Sequence, residues 1–121
     1  MKRKQSKINP DRIRDLLMQI ALYKETISRA QELLKVMKDH ESPDSFAKRK
    51  EAREKLIKMR MSLPRSKYFG DLRTRIIKAI DMVDEYSLYS YLGISNVEKE
   101  LKKVYRELCD QEELLTLLGK E

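Results

Sequence analysis

The sequence predicts an all-α protein, a four-helix bundle or two packed helical hairpins with a long, coiled-coil-like first helix. Three observations carry this. Gly and Pro together make up 6 of 121 residues, well under the usual share of about 12%. All six (Pro10, Pro43, Pro64, Gly70, Gly93, Gly119) fall between stretches in which apolar residues recur at three- and four-residue steps. Runs of alternating Val, Ile and Thr, the mark of strands, are missing. The length suits one domain, with residues 1–8 read as a disordered basic tail and 9–121 as a single helical unit.

Asn9-Pro10-Asp11 supplies an N-cap, a proline for the first turn and an acid against the helix dipole, so helix 1 starts there. Its apolar residues form a heptad seam. Ile13, Ile20, Ile27 and Leu34 hold one position, and Leu16, Tyr23, Ala30 and Met37 the other. Leu17, Leu22 and Leu33 widen the stripe, which favours a bundle over a two-stranded zipper.

Ser42-Pro43-Asp44 repeats the start signal, and helix 2 is predicted to run to about Ser62, before Pro64. Its core face is thin: Ala52, Leu56, Met59 and Leu63, with Phe46, Arg49, Arg53, Ile57 and Arg60 on another side. Helix 3 is expected from near Asp71 to Gly93 on a face of Leu72, Ile76, Ala79, Ile80 and Val83. Ser95 and Glu98 are spaced as a capping box for helix 4, whose Val97, Leu101, Val104, Leu108, Leu115 and Leu118 follow heptad steps to Gly119. On these boundaries helix 1 is the longest and should overhang. Part of its seam would then be exposed and call for a second copy or another protein.

The net charge is +7, with a sequence pI near 9.5, which suggests an anionic partner without requiring one. The excess is local, since residues 46–67 alone carry +7. Lys48, Arg49, Lys50, Arg53, Arg60, Arg65 and Lys67 could neutralise several phosphates, and the adjoining Tyr68 and Phe69 could stack on bases. The competing reading is a solvated basic helix that complements the acidic end of helix 4 at Glu107, Asp110, Glu112 and Glu113.

Residues 86–97 carry no charge and hold Tyr86, Tyr89 and Tyr91 among serines. Tyrosine offers large contact area with few rotamers to freeze, so this composition suits a binding surface. Alternatively, Tyr86 and Tyr91 merely border the core. Leu92-Gly93-Ile94-Ser95 resembles the turn of a helix-turn-helix DNA-binding motif. Tyr89, Lys99 and Lys102 stand where that motif has small or apolar residues.

An enzyme is not expected. His40 is the single histidine and Cys109 the single cysteine, which leaves no parts for a zinc site or a Cys-His pair. Three isolated glycines form no phosphate loop. Asp81, Asp84 and Glu85 read as a solvated face rather than a cation site. Cofactors and a small-molecule substrate are therefore not expected. The basic start runs into Asp11, Arg12, Arg14 and Asp15 where a signal peptide needs an apolar run, and no apolar stretch is long enough for a membrane span. With one unpaired thiol, the cytoplasm is the expected compartment.

The expected function is thus a non-enzymatic protein-interaction module, an adaptor, chaperone-like factor or regulator. Its candidate interface is Ile13, Ile20, Ile27 and Leu34 with Tyr86, Tyr89 and Tyr91, and a homo-oligomer and a protein partner are expected. The alternative is sequence-nonspecific nucleic-acid binding, alone or as a small subunit of a nucleoprotein assembly.

Overall fold

A computed structural model describes residues 9–120; the basic tail lies outside the described residues. The chain is a bundle of four helices without strands among the described residues. Helix α1 spans Pro10–Met37, α2 Ser45–Met59, α3 Gly70–Asp81 and α4 Leu92–Gly119. A short 3-10 turn, Arg60–Ser62, prolongs α2, and a second, Glu85–Leu88, lies between α3 and α4. No helix of the described residues is long and apolar enough to cross a membrane.

Asn9 caps α1 as its sequence predicts: its Oδ1 accepts the Asp11 N–H at 2.8 Å. Helices α1 and α4 form an antiparallel pair, with Gly119 against Ile13 at one end and Lys38 bonded to Glu98 at the other. Midway, Lys24 Nζ lies 3.1 Å from Glu112 Oε1 and 5.2 Å from the Tyr105 ring centre. The Glu112 hydrogen bond holds the Lys24 pKa above its ordinary value. Helix α2 packs on the other flank of α1, and α3 packs on α4, where Arg75 bonds both Glu100 and Glu107.

The acidic end of α4 is thus engaged by α1 and α3, not by α2. All eight seam residues of α1 are buried, together with Ala52 and Leu56, Ile76 and Ile80, and Val97 through Leu115 of α4, in one core.

Two boundaries differ from the sequence expectation. Helix α3 ends at Asp81, because the stretch after it is rich in Ser and Tyr, weak helix formers, and Asp84 is extended. Helix α4 begins at Leu92, so Gly93 lies in its first turn, where the N–H groups lack intrahelical partners and a glycine costs little. Glu98 does not close a capping box with Ser95. Its carboxylate bonds Lys38, and its carbonyl accepts from Gln31 at 3.2 Å. The Leu92–Ser95 turn is therefore helix, which removes the helix-turn-helix resemblance.

At the loop between α2 and α3, the Tyr23 hydroxyl donates to the Pro64 carbonyl, and its ring meets Phe69 edge-on at 6.4 Å. Burial raises the Tyr23 pKa above the ordinary 10.0, offset in part by the Arg73 charge and a Ser66 hydrogen bond. The folded chain therefore holds this proton more tightly than the unfolded one. Tyr23 contributes fully below about pH 10, and that share fades as pH rises through the folded-state value. Tyr23→Phe is expected to lower stability by about 1 kcal/mol at neutral pH. It should also make the alkaline decline shallower in urea titrations; an unchanged alkaline limb would contradict this account.

Candidate interaction surface

The seam proposed as an interface is not exposed. Ile13, Ile20, Ile27 and Leu34 are all buried, because α4 has the same 28 residues as α1 and covers it end to end. The expected length mismatch arose from starting helix 4 after Gly93. At about 42 Å, the two helices match.

The candidate nucleic-acid residues divide. Phe69 is 2% exposed and belongs to the core, where it packs under Tyr23, so it is unavailable for stacking on a base. Arg49 is 6% exposed and hydrogen-bonded within the protein. Its Nε donates to the Leu88 carbonyl at 2.9 Å, and Nη1 to the Asp39 carbonyl at 2.8 Å and Ser45 Oγ at 2.7 Å. Its neighbours in the basic run hid this role.

Lys48 pairs with Asp44, and Arg60 with Asp81. Lys50, Arg53, Arg65 and Lys67 form no ion pair among the described residues. Tyr68, next to Lys67 in sequence, remains half exposed, lining a hollow with Leu72, Arg75 and Glu107 rather than with Lys50 or Arg53.

Arg49 has a structural consequence. By bonding Leu88 and Asp39 it ties the 3-10 turn before α4 to the turn between α1 and α2, two segments far apart in sequence. The α1–α2 turn is itself stiffened by Asp39, whose carboxylate accepts from the Glu41 N–H and from the hydroxyl and N–H of Ser42. These bonds, the Glu41 N–H first, hold its pKa below the ordinary 3.8.

On the frame so formed sit exposed rings. Tyr89 lies against Phe46 with centroids 5.6 Å apart, and Tyr91 against His40 at 5.9 Å. The Arg49 guanidinium stands 5.6 Å from the Phe46 ring centre. Tyr86 is 82% exposed, Leu92 75% and Tyr89 70%, with Phe46 and Tyr91 also open.

Tyr86 lies in the 3-10 turn Glu85–Leu88, Tyr89 directly follows that turn and Tyr91 directly precedes α4, so none of the three stands on helix 3; all are exposed. Phe46 and Arg49 were missed as parts of this surface. An aromatic residue opening a basic helix was the available signal for Phe46.

A groove of about 780 Å³ between α1 and α4 is lined by Gln31, Lys35, Lys102, Tyr105, Arg106 and Cys109 among others. Cys109 and His40 occupy separate places, so the two do not form a nucleophile and base. No protein-family model, curated protein or solved structure matches this chain.

Proposed function

We propose that this protein is a non-enzymatic interaction module, an adaptor, chaperone-like factor or regulator, which engages a protein partner through the aromatic end of the bundle. One observation carries the reading: Phe46, Tyr86, Tyr89, Tyr91 and Leu92 are exposed together over a backbone pinned by Arg49. Tyrosines held in place lose little freedom on binding, and clustered apolar area of this kind is uncommon on a surface without a partner.

A second reading, contact with nucleic acid, is supported by the unpaired Lys50, Arg53, Arg65 and Lys67. If about five phosphates were neutralised, the log-log salt slope on duplex DNA would be about −4 to −5.

Affinity purification of the tagged chain with and without nuclease separates the two. The interaction reading expects protein partners that survive nuclease and are indifferent to a Lys50→Glu, Arg53→Glu, Arg65→Glu variant. Partners present without nuclease but lost on nuclease treatment and in that variant would favour nucleic acid.

A further inference from the structure

The aromatic end differs in charge from the rest of the molecule. Residues 39–47 and 82–97, the two segments that build most of it, contain Asp39, Glu41, Asp44, Asp84 and Glu85 and no Lys or Arg, in a chain of net charge +7. Asp44 is matched by Lys48 at 3.4 Å, and Asp39 is occupied by its own turn. Glu41, Asp84 and Glu85 are exposed and pair with no Lys or Arg among the described residues. Arg49, the cation beneath, is buried, with its donors turned to carbonyls and to Ser45.

Phenol and phenyl faces are themselves negative, and a cation placed over them is attracted. Rings and carboxylates here act in the same sense. Lys48, paired with Asp44, and Lys50 follow Phe46 on α2, whereas the segment around Asp84 and Glu85 holds no Lys or Arg. Cations more than about 10 Å away are screened at ordinary salt, so the local sign beside Tyr86 is negative.

We propose that the aromatic end receives a Lys- or Arg-bearing segment of a partner protein. Its cations would lie against the ring faces of Tyr86 and Tyr89 and pair with Asp84 and Glu85. This rests on the interaction reading above and adds the chemistry of the partner; an acidic or phosphorylated segment would be repelled from the same place.

The test is fluorescence anisotropy of the full chain with three labelled decapeptides, alternating Arg-Ala, Glu-Ala or Leu-Ser, in about 0.1 M salt. The Arg-Ala probe is expected to bind at least about tenfold tighter than the Glu-Ala probe. That advantage should be lost in Asp84→Asn, Glu85→Gln and weakened by Tyr89→Ser, each with an unchanged melting temperature. It should not be reduced by Lys50→Gln, which removes an unpaired cation one helical turn from Phe46 on α2.

Equal binding of the Arg-Ala and Glu-Ala probes, no binding, or indifference to Asp84→Asn, Glu85→Gln would overturn the proposal. So would concentration-dependent sedimentation of the chain alone that this double variant abolishes, because the occupant would then be a second copy's basic face. Tyr89-dependent binding of the Leu-Ser probe alone would sink the charge preference while leaving the interaction reading standing. That reading fails separately, if nuclease-resistant partners are retained equally by Tyr89→Ser.

Discussion

Ile27→Asp is expected to leave little or no folded protein. Ile27 is 1% exposed at the middle of the α1 seam, with α4 across it. The substitution removes a packed side chain, at about 2–5 kcal/mol, and inserts a carboxylate into the buried seam, a further cost that Lys35, Lys102 and Arg106 of the adjoining groove offset only in part. A domain of this size has only about 5–15 kcal/mol to lose. Circular dichroism and urea titration should show an unfolded or severely weakened chain, whereas Leu22→Asp, on a half-exposed position of the same helix, should cost about 1 kcal/mol or less. A folded Ile27→Asp protein with altered sedimentation would mean that the seam is an interface between copies.

Arg49→Ala should cost about 3 kcal/mol of stability. The Leu88 and Asp39 carbonyls and Ser45 lose their donor in a buried place, and each group so stranded costs about 1–3 kcal/mol, reduced where water can enter. Arg49→Lys should recover only part of this, because an ammonium cannot span three acceptors as the guanidinium fork does. The Tyr89 and Phe46 resonances should shift in both variants, since the frame below them loosens. A phosphate-binding arginine would behave in the opposite way, with unchanged stability and lost nucleic-acid affinity.

Where local chemistry decides, the fold was readable from the residues. Asn9 and Pro10 start α1, and Pro64 stops the helical run of α2. The heptad steps of Ile13 through Met37 mark the buried face of α1. What escaped was decided by residues far apart in sequence. Arg49 stands in a run of solvated cations, and only the arrival of the Asp39 and Leu88 carbonyls makes it interior. Phe69 sits in a loop next to a basic stretch, and Tyr23, distant in sequence, turns it into core.

At the α3–α4 boundary Gly93 does not terminate a helix: α3 ends at Asp81 and α4 begins at Leu92. A glycine whose φ is not positive can occupy a first turn as well as follow a last one. Of the exposed aromatic end, the uncharged run that holds the tyrosines is visible in the composition. Their assembly with Phe46 is not, because it depends on the α1–α2 turn folding back to the 3-10 turn.

The most direct test of the aromatic end as the working surface compares nuclease-treated co-purification by the wild-type chain and by a Phe46→Ser, Tyr89→Ser variant. Both side chains are exposed, so the melting temperature should change little. The protein partners held by the wild type should be lost or reduced at least about tenfold, as expected when aromatic anchors are removed. Partners retained at equal yield by a variant of unchanged stability would contradict the account.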